Sequence, residues 1–263
     1  NMRNGFIERN TKETKIICKT NLDGVGNPMI STGIGFFDHM LEIFSHHSMI
    51  DLEIKVDGDT HVDLHHTVED TAYCIAQAIV KSLGDKKGIS RYGFYYIPMD
   101  ECLSRCVIDF SGWPACVWRV SLGLEKIGEM DTELFEEFFK AFANEAKCNL
   151  HIENLYGKNN HHIIESCFKA FARSVNMVSK PLSNKEAVVI EVMLNNKYLT
   201  KSEAGKDIKF SENGSSYLVV DKPNLYNIIS LPEIKSGELK ITSLEKFSVF
   251  AFTFGAYINT EIN

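Results

Sequence analysis

The sequence predicts an α+β protein of two duplicated half-domains, each a sheet with helices on one face, followed by a β-rich C-terminal module. Three observations carry this. The pattern His-His-x-x-Glu occurs twice, at His65-His66-Thr67-Val68-Glu69 and at His161-His162-Ile163-Ile164-Glu165. The same helix, strand, helix order surrounds each copy, as expected of an internal repeat. After Val178 the chain holds no His, Arg or Cys, and its ten Lys balance ten Asp plus Glu, so a different module begins there. These features divide the chain into residues 1–87, 88–179 and 180–263.

Taken in order, residues 13–20 alternate like a strand, and 36–48 carry Phe36, Phe37, Met40, Leu41 and Phe44 at helical spacing. Residues 50–56 alternate again. A helix over 65–83 turns Cys74, Ile75, Ala78 and Ile79 to one side and ends at Gly84. Strands at 92–99, 103–110 and 115–120 lead to a helix over 132–147, whose Leu134, Phe135, Phe138, Phe139 and Phe142 form an apolar stripe. A short strand near Leu150 precedes the second His-His-x-x-Glu helix, which is expected to run through Arg173. Asp63, and Asn159 or Asn160, stand where helix caps belong. In the tail, 187–194, 216–220, 239–242 and 247–254 read as short strands between Asn-, Gly- and Pro-containing turns.

The 263 residues suffice for a substantial core, and 44% hydrophobic with 24% charged residues describe an ordinary globular chain. A formal net charge of −7 without Lys/Arg clusters argues against nucleic acid as a partner and toward a small substrate. No apolar run approaches the roughly 18–20 residues of a membrane span, so no membrane is expected and the cytoplasm is the expected compartment. Seven cysteines without a C-x-x-C pair read as free thiols in a reducing environment.

Metal chemistry is what the histidines indicate. All nine lie between His39 and His162, and each His-His-x-x-Glu has a lone histidine upstream, His47 or His151. On a helix, residues four or three apart share a face, whereas adjacent ones diverge by about 100°. The Glu can therefore share an ion with one His of the pair while the other His serves a second ion or a second subunit. Nitrogen and oxygen donors without cysteine suit Mn²⁺, Zn²⁺, Fe²⁺ or Co²⁺.

Gly33-Ile34-Gly35-Phe36-Phe37-Asp38-His39-Met40-Leu41, Asp63-Leu64-His65-His66-Thr67-Val68-Glu69-Asp70, Ile97-Pro98-Met99-Asp100-Glu101, His151, the stretch 157–165 and Phe168-Lys169-Ala170-Phe171-Ala172-Arg173 follow one another in the order and spacing of a known family. Over about residues 7–178 the chain resembles the imidazoleglycerol-phosphate dehydratases. The resemblance implies a duplicated fold like the second domain of ribosomal protein S5, and two Mn²⁺ ions per site. It implies trimers assembled into a shell of 24 subunits, with sites between subunits. The implied reaction removes water from imidazole glycerol phosphate to give imidazole acetol phosphate in histidine biosynthesis. By similarity the metal ligands are His47, His65, His66, Glu69, His151, His161, His162 and Glu165. Glu13, with Glu69 and Glu165, is the implied catalytic carboxylate, and His39, Arg91 and Lys169 are implied substrate contacts.

Three departures from the family's pattern bear on activity. Ser111-Gly112-Trp113-Pro114 carries Trp where the family has a phosphate-binding Arg. The family's C-terminal Pro-Ser-x-Lys-Gly stretch is missing. Each lost charge-assisted contact weakens the hold on phosphate by ~1.5–3 kcal/mol, or roughly ten- to a hundredfold. The tail replaces that stretch, and its segments 221–226 and 250–255 resemble the C-terminal β-module of thioredoxin-like cytochrome c biogenesis proteins. An alternative function follows: a metal-binding assembly protein of the same fold with lost or impaired turnover.

Overall fold

The computed structural model of the chain describes residues 3–180, 188–220, 226–233 and 236–244. It separates into two compact units, Asn1–Pro181 and Leu182–Asn263.

In the first unit, β1 (Asn4–Asn10), β2 (Thr14–Asn21), β3 (Pro28–Ser31), α1 (Gly35–Ser48), β4 (Asp51–Gly58) and α2 (His65–Leu83) are followed by β5 (Tyr92–Met99), β6 (Cys102–Asp109) and β7 (Ala115–Arg119). A two-stranded ribbon, β8 (Lys126–Ile127) and β9 (Met130–Asp131), precedes α3 (Glu133–Ala146), β10 (Asn149–Tyr156) and α4 (Asn160–Ser179). Both sheets have one topology. The orders are β1-β2-β4-β3 and β5-β6-β10-β7, with the last strand of each parallel to its neighbour and the other pairs antiparallel.

Each sheet turns its apolar side to its own two helices, and the helices of the two halves then pack on each other, α1 on α4 and α2 on α3. Phenylalanines weld this layer. Phe44 stacks on Phe171 with ring centroids 5.3 Å apart, and Phe37 meets Phe138 edge-on at 5.6 Å. Gly5 and Gly93, each the second residue of its edge strand, mark the same close approach twice. A Cβ would lie 2.0 Å from the Ala78 carbonyl oxygen at Gly5 and 2.2 Å from that of Ser174 at Gly93.

Strands β1 and β3 escape the sequence reading. β1 buries only Gly5 fully and β3 buries no residue fully, so neither shows the alternation of a half-buried strand. β10 is longer than the short strand expected near Leu150: Leu150 and Ile152 are buried, His151 between them is exposed, and the strand runs on to Tyr156. α4 outruns Arg173, its stripe continuing through the buried Val175 and Val178.

The second unit is a five-stranded sheet. β11 (Val188–Leu194), β12 (Lys197–Tyr198), β13 (Ile208–Phe210) and β14 (Ser216–Val220) run in the order β12-β11-β14-β13, and β15 (Leu239–Thr242) pairs with β11. Val188, Ile190, Val192, Leu199 and Leu218 form its core. The strand expected at 247–254, the segment 250–255 and most of 221–226 lie outside the described residues. No helix among the described residues is long and apolar enough to cross a membrane. All seven cysteines are unpaired, six of them buried.

Candidate functional site

The two His-His-x-x-Glu patterns open α2 and α4, each at a helix start held by a side chain. Asp63 accepts the His65 N–H at 2.8 Å, and Asn159 accepts those of His161 at 2.9 Å and His162 at 3.4 Å. Asn159 is therefore the cap, while Asn160 accepts from the Gly123 N–H at 3.2 Å.

Within each clamp the first His and the Glu share a helix face. His65 Nε2 lies 3.9 Å from Glu69 Oε2, and His161 Nε2 lies 3.1 Å from Glu165 Oε2. The second His turns away and is gripped through Nδ1 by a carboxylate, His66 by Asp59 at 3.0 Å and His162 by Glu101 at 2.9 Å. Those hydrogen bonds raise the pKa of both rings and hold Glu101 well below the usual carboxylate range. A carboxylate on Nδ1 leaves Nε2 to act as the donor, the arrangement by which metal-binding imidazoles are oriented; Asp100 Oδ2 lies 3.7 Å from the Nε2 of His162.

His39, implied by the resemblance to be a substrate contact, lies with the second clamp. Its Nε2 is 3.8 Å from Glu165 Oε2, and His39, His161 and Glu165 bring their donor atoms within 4.8 Å of one another. Burial alone would raise the Glu165 carboxyl, but Lys169, 2.7 Å away, with His161 and His39, outweighs it and holds the pKa below the ordinary value. Two imidazoles and an ionised carboxylate so converged fit a divalent cation. His47 fits as well: burial, then Lys169 and Arg173, lower its pKa and so disfavour the charged ring, and its buried Nδ1 has no hydrogen-bond partner. A groove of about 270 Å³ lined by Pro28, His39, Glu42, Ile43, His46 and His47 runs along α1.

Glu13 sits exposed on the turn between β1 and β2, where its carbonyl accepts the Asp59 N–H at 3.0 Å. That turn is pinned to α2 beside Glu69. Arg9 pairs with the buried Asp70 at 2.9 Å, and the Thr14 hydroxyl donates to the same carboxylate.

Two predicted residues stand apart from the clamps of their own chain. Arg91 precedes β5 and pairs with Asp109 at 2.8 Å, whereas Glu101 follows the far end of that strand. Eight strand residues separate them, about 25 Å at ~3.3 Å per residue. His151 is exposed on the outer face of β10. The lone histidines are also not repeats of one another. His47 is the thirteenth residue of the 14-residue α1, whose counterpart position in α3 is Glu145, and His151 is the third of β10, matched in β4 by Glu53. The duplication thus extends to the clamps and not to the single histidines.

Asp59, Asp70 and Glu101 are partners that the histidine spacing did not reveal. Each meets its group across a long stretch of chain or through a turn; Asp70 and Glu101 close two of the quoted motifs, whereas Asp59 lies in none of them. Trp113 is 77% exposed on its turn, its carbonyl held by Asn149 at 2.7 Å.

Residues 32–175 match the family model described as imidazoleglycerol-phosphate dehydratase, and residues 150–255 match one described as a thioredoxin-like C-terminal domain. The second match overlaps β10 and α4, which belong to the first unit. The imidazoleglycerol-phosphate dehydratase of Erythrobacter litoralis is 59% identical over 174 residues, 66% of this chain and 88% of the relative. That of an Exiguobacterium species is 55% identical over 66% of this chain and 89% of the relative. The crystal structure of the Staphylococcus aureus enzyme of that name aligns with a TM-score of 0.62 at 39% identity, covering 68% of this chain and 99% of that one.

Proposed function

The chain belongs to the imidazoleglycerol-phosphate dehydratase family, and on that premise we propose how its residues divide the work. The activity is that of a hydro-lyase of histidine biosynthesis, removing water from imidazole glycerol phosphate to give imidazole acetol phosphate. The observation that carries the rest is the pair of clamps, each with one His and Glu on a shared face and a second His oriented by a carboxylate.

In this reading two Mn²⁺ ions per site are held by His47, His65, His66, Glu69, His151, His161, His162 and Glu165, with His39 joining His161 and Glu165 as a ligand. Bound there, such ions would supply Lewis acidity to the substrate's imidazole and so make a neighbouring C–H acidic enough to remove. Glu13, on its pinned turn beside His66, is the carboxylate that moves the proton. Asp59 and Glu101 keep the second histidines in the tautomer that presents Nε2. Lys169 neutralises Glu165 and lies one turn further along α4 from it. Arg91 supplies a planar fork of donors to phosphate.

Because Arg91 and His151 lie away from the clamps of their own chain, the complete site requires a second copy. A homo-oligomer of 24 subunits built from trimers, in the cytoplasm, is the assembly proposed. Trp113 and the missing Pro-Ser-x-Lys-Gly stretch favour impaired turnover, and in the limit a metal-binding assembly protein. Incubating the Mn²⁺-loaded protein with imidazole glycerol phosphate tests the reading. Ketone product with KM raised roughly ten- to a hundredfold per missing phosphate contact supports it. No product at saturating substrate leaves only the assembly role.

A further inference from the structure

Glu101, Cys102 and His162 bring a carboxylate oxygen, a sulfur and an imidazole nitrogen within 4.8 Å of one another. The sulfur has no part in the clamps described above. Cys102 Sγ lies 3.4 Å from Glu101 Oε1 and 4.0 Å from the Asn159 carbonyl oxygen, and Glu101 Oε2 lies 2.9 Å from His162 Nδ1. Gly157 keeps the flank of the sulfur open, since a Cβ there would stand 2.3 Å from Sγ. The first half has no counterpart: Thr14 opens β2 where Cys102 opens β6, and its hydroxyl is spent on Asp70.

We propose that Glu101, Cys102 and His162 form a thiolate-containing site, sharing His162 with the second clamp, for a thiophilic divalent cation such as Zn²⁺ or Cd²⁺. Thiolate selects softer ions than the nitrogen and oxygen donors of the clamps. At metal–ligand distances of about 2.0–2.3 Å one ion can bridge donors spaced this closely. On binding, the Cys102 S–H bond breaks, a sulfur–metal bond forms and the proton leaves to solvent. The Nδ1–H bond of His162 breaks and its proton is lost to solvent, Nε2 takes up a proton from solvent, and the ion binds the freed Nδ1 lone pair, so the neutral ring carries its single proton on Nε2. A neutral imidazole has one free lone pair, so occupation here withdraws His162 from its clamp. This last consequence rests on the proposed function, whereas binding of the soft ion does not.

The test uses Cd²⁺ on the full-length, chelator-stripped protein, read by thiolate-to-metal charge-transfer absorption in the near ultraviolet. Expected is a band from one sulfur per chain, lost in Cys102→Ser with at least tenfold weaker binding of that equivalent. The band should survive in Cys116→Ser, which alters the one cysteine that is not buried. No band in the unmutated protein, a band unchanged in Cys102→Ser, or a band lost in Cys116→Ser overturns the proposal. Should Cys102→Ser fail to fold, the ¹¹³Cd spectrum of the unmutated protein decides, since absence of a thiolate-shifted resonance overturns it equally. Failure of the proposed function would look different: Mn²⁺ would not bind while the Cd²⁺ band remained.

Discussion

His39 Nε2 on α1 lies 3.8 Å from Glu165 Oε2 on α4, so a residue of the first half-domain completes a cluster built by the second. Duplication alone would give two self-contained clamps. In the proposed metal site, packing α1 against α4 would instead tie metal affinity to the contact between the halves, where Phe44 stacks on Phe171. His39→Ala should then lower Mn²⁺ affinity by more than the ~10–100-fold typical of an outer orienting group, because a ligand itself is lost. Metal content after dialysis measures this, and full retention of both ions would return His39 to a substrate role.

Asp59 and Glu101 ligate neither of the proposed Mn²⁺ ions, yet each fixes a ring that does. Asp59→Asn and Glu101→Gln should each weaken Mn²⁺ binding by roughly 10–100-fold while leaving the fold intact. The two substitutions act on different clamps, so their effects should add when combined. Titration of chelator-stripped variants with Mn²⁺, followed by isothermal calorimetry, checks both points.

Much of this site was legible in the sequence, for a geometric reason. Residues at i and i+4 on a helix meet wherever the helix lies, so the pairing of His161 with Glu165 could be read from spacing alone. Asp59 and His66, or His39 and Glu165, meet only after strands and helices have packed, and no local period encodes that. The same distinction governs the fold. Helices such as α3, with a stripe from Leu134 to Phe142, announce themselves, whereas β1 is an edge strand whose one fully buried residue is Gly5. Arg91 shows the limit of transfer by resemblance, since the resemblance names the residue while the single chain engages it with Asp109.

Gly5 and Gly93 report on the duplicated strand–helix contact. Adding a methyl 2.0 or 2.2 Å from a helix carbonyl oxygen forces α2 or α4 off its sheet. Gly5→Ala and Gly93→Ala should each destabilise the first unit by about 1–3 kcal/mol, the usual cost of overpacking. Denaturant midpoints for the two variants should fall together, and an unchanged midpoint for either would remove the close approach at that strand.

Asp51 sets part of the acid limit of stability. Burial alone would raise its carboxyl, but the backbone N–H groups of Asn27, Val25 and Gly26 and the Asn21 side chain outweigh that and hold the pKa below its ordinary value. The Asn27 and Val25 bonds measure 2.9 and 3.0 Å. A carboxyl depressed in the folded state stabilises above the unfolded pKa of about 4, and that contribution is lost as pH falls through the folded value. Asp51→Asn should lower the urea midpoint at pH 7 and flatten its decline between pH 5 and 3.

His151 separates assembly from the remaining ligand set. It is exposed on the outer face of β10, so in the proposed oligomer it reaches an ion held by the clamps of another copy. Removing metal then removes a bond between subunits, and chelation should lower the molar mass of the particle while leaving the helical content of each chain in place. His151→Ala should do the same without chelator, and it should do so while His39, His161 and Glu165 still retain their ion. Light scattering paired with metal analysis distinguishes the cases. A particle of unchanged mass after complete removal of metal would mean that apolar contact between the outer sheet faces, where Tyr92, Phe94 and Tyr96 are exposed, holds the copies together without the clamps.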